Sequence, residues 1–129
     1  MVTMLTSPWR AVSNAEPNGG YVALLGRVRL NTVRMLPPFV RYGLRIDRQL
    51  RCTPGIVGYR TAADVFGLTF YHLSAWIDSA AIHAFVNTAP HVHAMEELAE
   101  RLGETTFRYW TVNGHELPMH FHREWHRWQ

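Results

Sequence analysis

The order of its patterns constrains this chain most. Four stretches alternate like strands. The gaps after the first and third are long enough for a helix, and the gap after the second fits only a turn. Residues 21–31 are rich in Val and Leu. Their alternation sets Val22, Leu24, Gly26, Val28 and Leu30 on one face, and Tyr21, Ala23, Leu25, Arg27 and Arg29 on the other. Pro37 and Pro38 suit the first turn of a helix, where a missing N–H costs nothing. Residues 39–51 continue that helix, with Arg41, Arg45 and Arg48 sharing a face. Thr53-Pro54-Gly55 is a turn, 56–61 a short strand, and Ala62-Ala63-Asp64 a break. Residues 65–76 form a longer aromatic strand, with Phe66, Leu68, Phe70, His72, Ser74 and Trp76 on one face. Asp78 caps a helix from 79 to about 87. Pro90 interrupts it, Thr88 is a candidate cap for the restart, and 90–102 runs to a stop at Gly103. Residues 105–112 are the last strand.

The order β-α-β-β-α-β is the split βαβ, or ferredoxin-like, arrangement. It predicts an α+β fold: one four-stranded antiparallel sheet with both helices on one face. Residues 1–20, with Pro8, Pro17, Asn18, Gly19 and Gly20, read as a loose arm ending in a turn. The domain is then 21–112, and 113–129 is a His- and Trp-rich tail. The strands carry large apolar residues on both sides, so the face without helices needs a cover. A second subunit packed sheet to sheet would supply it and make a dimeric α+β barrel.

Composition narrows the function classes. Hydrophobic residues make up 47% and charged residues 18%, enough for a core and too little charge for a disordered chain. The net charge is +3 and all 13 basic side chains are arginine, but they form no clustered stripe, so nucleic acid is not an expected partner. No apolar run reaches the roughly 18–20 residues of a membrane span, and no signal-like start is present. One cysteine, Cys52, excludes an internal disulfide and a cysteine-based zinc cluster, and favours a reducing, cytoplasmic setting.

Two histidines stand out. His91 shares an inward stripe with Met95, Leu98 and Leu102, while His93 aligns with Glu97, Glu100 and Glu104 on the polar side. An inward imidazole reads as a core histidine with one hydrogen bond, as a general acid or base, or as a haem ligand. Met95, one turn on, is a soft ligand or core filler. His72 sits mid-strand between Phe70 and Trp76 and needs a partner for its N–H. His83, beside Ile82, is expected half exposed. In the tail, His115, His120, His122 and His126 invite a metal reading, but the spacing fits no common zinc pattern. The other reading is an arm laid across a partner subunit and anchored by Trp125 and Trp128. Arg41 and Arg45 read as a solvated face or as a carboxylate clamp. Arg27 and Arg29 read as buried and paired, with an acidic ligand conceivable because carboxylates are scarce near them. No Gly-rich phosphate loop, G-x-S-x-G or paired-carboxylate spacing occurs.

Several of these segments together form a recognisable pattern: 68–76 (LTFYHLSAW), 78–85 (DSAAIHAF), Ala89-Pro90-His91, Gly26 to Arg29, the arginine-rich helix, and 53–58 (TPGIVG). They resemble the spheroidene monooxygenase-like proteins of the dimeric α+β barrel superfamily. Antibiotic biosynthesis and haem-degrading monooxygenases are more distant relatives. The resemblance spans about residues 21–112. It implies a homodimer with a pocket between sheet and helices, haem, and O₂-dependent oxygenation of a small hydrophobic or aromatic substrate. On that reading His91 ligates the iron, Arg41 and Arg45 pair with the propionates, and His72 and Trp76 border the distal side as catalytic residues. Met95 falls near the ligand position of the haem-degrading relatives. Other barrel members oxygenate without a cofactor, which makes a cofactor-free oxygenase or polyketide-type cyclase, with His72 or His91 as base, the alternative. A non-catalytic dimer binding a hydrophobic ligand or a protein is the third reading.

Overall fold

A computed structural model describes residues 4–128. The long strands are β3 (Gly20–Leu30), β4 (Ile56–Asp64), β5 (Thr69–Trp76) and β6 (Leu102–Asn113), and the arm adds β1 (Leu5–Thr6) and β2 (Arg10–Ala11). The helices are α1 (Leu36–Arg51), α2 (Ser79–Val86), α3 (His91–Leu98) and the short α4 (Phe121–Glu124). The long strands lie in the order β4-β5-β3-β6, every pair antiparallel, with α1 following β3 and α2 and α3 following β5. The ferredoxin-like core expected from the sequence is therefore present. The sheet has six strands rather than four, because β1 and β2 both pair with β4. An unpaired edge strand offers free N–H and C=O groups. The arm takes them up, with Ser7 N–H donating to Thr61 O at 2.9 Å and Val12 N–H to Val57 O at 2.8 Å.

Local chemistry sets most boundaries. Prolines occupy the first helical positions of α1, and the Asp78 carboxylate accepts from Ala81 N–H at 2.8 Å to start α2. The hairpin between β4 and β5 comes later than expected. Ala62 and Ala63 stay in β4, and the chain turns at 65–68, where Leu68 has φ +51° and Asp64 Oδ1 accepts from Gly67 N–H at 3.1 Å. Phe66 is consequently a 93% exposed tip residue and not part of the strand face. The α3 helix ends at Leu98, and Leu102 and Gly103 already belong to β6. Thr88 does not cap α3: its hydroxyl donates back to Ala84 O at 2.6 Å.

Side chains pack on both faces of the sheet. On the helix side Leu24, Ile56, Tyr59 and Trp76 meet Leu50 of α1 and Ile82 and Phe85 of α2. On the far side Tyr21, Ala23, Leu25, Val57, Leu73 and Ala75 lie under Met119 and Phe121, with Met4, Trp9 and Trp128 packed alongside. The cover expected of a second subunit is supplied here by the chain's own two ends. The tail that the sequence placed across a partner lies on its own sheet. Among the described residues no helix is long and apolar enough to cross a membrane.

Candidate functional site

Register places the side chains that face the helices. One row across β4, β5, β3 and β6 is Thr61, His72, Gly26, Phe107, and the next is Tyr59, Ser74, Leu24, Tyr109. His72 thus sits near the centre of the sheet beside a residue with no side chain. The Phe107 ring leans over that space: a Cβ on Gly26 would stand 3.0 Å from Phe107 Cε1. Phe107 and Tyr109 are 45% and 60% exposed, so the β6 side of these rows is reached by solvent. The Tyr59 ring stacks on His72, with centroids 6.2 Å apart and planes at 20°.

The His72 ring lies deep among neighbouring atoms yet keeps a solvent-reached surface, and no hydrogen bond reaches it among the described residues. Burial, and then the His91 charge, push its pKa down to about 4. At neutral pH the imidazole is uncharged and has an open lone pair. His91 opens α3 and is partly buried, while His93 is exposed, as the helical spacing requires. The His91 ring packs on Phe85 at 4.9 Å, and its Nδ1 lies 3.2 Å from Val86 O. A proton on Nδ1 donated to that carbonyl leaves Nε2 free. Burial lowers the pKa of His91, and the Val86 carbonyl opposes the shift.

Two polar devices that the sequence did not reveal hold these rings. Gln49 of α1 donates to Phe85 O and Thr88 O, each at 3.2 Å, and its Oε1 accepts from His91 N–H at 3.0 Å. One side chain therefore satisfies the end of α2 and the start of α3. Tyr59 O–H donates to Asp47 Oδ1 at 2.5 Å, and Arg51 pairs with the same carboxylate. Burial raises the Asp47 pKa, but the Tyr59 and Arg51 hydrogen bonds outweigh it and the net shift is downward. Burial and the Asp47 bond raise that of Tyr59. The sequence signal for Gln49 was its position three residues after Ile46 on the inner edge of α1.

The other expected residues scatter. Trp76 is 1% exposed and donates to Ser74 Oγ at 2.8 Å, with its ring 5.4 Å from Phe85: it supports the site from beneath. Met95 is partly buried one turn after His91. Arg41 and Arg45 lie on the exposed face of α1, where Arg45 rests 5.7 Å over the Tyr42 ring. His83 is exposed. Arg27 finds its carboxylate within the chain, Glu104 at 3.3 Å, and Arg29 is exposed. Among the described residues no three His, Cys, Asp or Glu side chains gather as a metal site. Haem needs an iron ligand, cations for its propionates and a slot. His91 Nε2 meets the first need. Arg41 and Arg45 lie on the exposed face of α1, and the space between α1, α2 and the sheet holds Leu24, Ile46, Leu50, Trp76 and Phe85. The residues present do not fit haem.

No protein-family profile and no curated protein sequence matches the chain. Solved structures share its fold. A candidate monooxygenase from Lactobacillus acidophilus superposes with a TM-score of 0.65 at 14% identity, over 79% of this chain and 48% of that one. This chain thus spans about half of that protein's length. A candidate antibiotic biosynthesis monooxygenase from Deinococcus radiodurans gives 0.60 at 14% identity, over 69% and 89%. SnoaB, a cofactor-independent oxygenase from Streptomyces nogalater, gives 0.60 at 15% identity, over 78% and 100%. The chain therefore shares the fold of these antibiotic biosynthesis monooxygenase-like structures.

Proposed function

We propose that the chain is a cofactor-independent oxygenase acting on a small aromatic substrate with an acidic O–H or C–H. One observation carries this: a neutral imidazole, His72, stands without a hydrogen bond among the described residues on the helix-facing side of the sheet, in one row with the exposed Phe107. A substrate that reduces O₂ unaided must first become an electron-rich anion, so the protein must remove a proton. His72 is held neutral and can accept it. The resulting imidazolium and substrate anion then stabilise each other in a site of low polarity. Conversion of an activated methylene to a carbonyl consumes one O₂ and releases one water, with all electrons from the substrate. Tyr59 holds the His72 ring plane, and Gln49 holds His91 as a second neutral imidazole. The likeness to SnoaB supports this reading over the haem-dependent one.

The test is O₂ uptake with 1,8-dihydroxyanthrone as probe, in chelator and without added haem. Uptake should exceed the uncatalysed rate and fall about 10²-fold or more in His72→Gln. A His72→Gln variant as fast as wild type would remove the base. A requirement for hemin, with a Soret band lost in His91→Ala, would restore the haem reading.

A further inference from the structure

On the sheet face opposite His72, the arm and the tail meet over β4 at Arg60. Its Nε and one terminal nitrogen donate to Ser7 O at 3.2 and 2.9 Å, and the other lies 3.1 Å from Met119 O and 3.2 Å from His120 Nδ1. All these partners are neutral. The ion pairs among the described residues lie elsewhere: Arg27–Glu104, Arg51–Asp47 and Arg127–Glu124. The Arg60 charge is thus partly buried and, among the described residues, uncancelled, which is costly unless an anion joins it. The His122 ring stands 5.7 Å from that of His120. Between these groups opens a cleft of about 420 Å³, whose remaining walls include Met4, Phe121 and Trp125. That volume and the mixture of apolar walls with few polar groups suit a small-molecule site. The local field is positive: burial first, then Arg123, Arg60 and His122, disfavour a proton on His120.

We propose that this cleft binds a small organic monoanion, with a carboxylate at Arg60 and His122 and an aromatic body against Phe121 and Trp125. One N–H of the Arg60 terminal nitrogen that donates to Ser7 O has no partner among the described residues and can donate to a carboxylate oxygen, and the Trp125 side chain, which is 36% exposed, offers a stacking surface. The site is independent of the reading given to His72.

Titration calorimetry with 1-naphthoate on the full chain tests it, with neutral 1-naphthamide as the control. Naphthoate should bind saturably at one site, about tenfold or more tighter than naphthamide, and about tenfold more weakly to Arg60→Gln. Arg60 also ties the arm to the tail, so His122→Gln, whose ring is exposed, provides a second variant. It should weaken naphthoate about threefold with an unchanged Tm. Equal binding of acid and amide, no saturable binding, or naphthoate affinity unchanged in His122→Gln would overturn the proposal. So would affinity lost in His72→Gln and retained in Arg60→Gln.

Discussion

The low pKa of His72 makes the stability of the whole domain depend on pH. In the folded chain the group titrates near 4, against 6.5 when unperturbed. Between those values the unfolded chain binds a proton that the folded chain refuses. Stability therefore rises with pH across that window. It is fully present above about 6.5 and is lost as pH falls toward 4. At about 1.4 kcal/mol per pH unit, the full gap is worth about 3 kcal/mol, of which about 2 kcal/mol is lost between pH 7 and about pH 4.5. His72→Gln removes this linkage and leaves the remaining histidines in place. Urea unfolding of both proteins at the two pH values reports the contribution of His72 with its coupling to His91, because the remaining histidines cancel in the comparison. Wild type should lose about 2 kcal/mol more than the variant. Equal losses would mean that His72 titrates normally. The ring would then not be buried under the helices, and the proposed base would lose its physical foundation. The O₂-uptake rate carries the same signature, rising as pH passes upward through about 4 and then levelling.

Gln49→Ala removes the hydrogen bonds to Phe85 O, Thr88 O and His91 N–H, and should cost about 1–3 kcal/mol by chemical denaturation. Oxygenase activity should fall with it as His91 loses its placement. Tyr59→Phe keeps the ring stacked on His72 but deletes the donor to Asp47. A loss of about 1 kcal/mol is expected, with the Asp47 pKa rising toward normal in an NMR titration. Phe121→Ala opens the far face, where Phe121 is 7% exposed. A loss of about 3 kcal/mol or more, with tighter dye binding to the uncovered sheet, would match its anchoring role.

Much of the fold was legible because its signals are local. The strand alternation, the prolines opening α1, the Asp78 cap and the division of His91 from His93 all follow from spacing within a few residues. The errors arose where a distant contact decides the outcome. Ala62 and Ala63 look like a break, but Ala62 is 4% exposed in the far-side cluster, where a small side chain suits a strand beneath other chain segments. The helical spacing of Arg41 and Arg45 was sound, but spacing does not say which face of α1 turns inward. Phe39, Tyr42 and Ile46 do, and they leave the arginines in solvent.

The tail posed the hardest case. Met119, Phe121, Trp125 and Trp128 follow no period, because they answer to the shape of the sheet and not to a helix or strand of their own. Tyr71 shows this from the other side: its ring meets Phe121, Trp125 and Trp128 at 6.4, 5.0 and 6.5 Å. A strand apolar on both faces told correctly that a cover was required. Only the register of β5, which turns His72 toward the helices and Tyr71 toward the tail, assigns each cover to its face. The same alternation that puts an uncharged imidazole under α1–α3 therefore commits the opposite face to the arm, the tail and Arg60. The two candidate sites lie on opposite faces of the sheet, whose far-face core includes Leu25, Leu73 and Ala75, each 0% exposed. Close packing there leaves no room for one ligand to reach both sites.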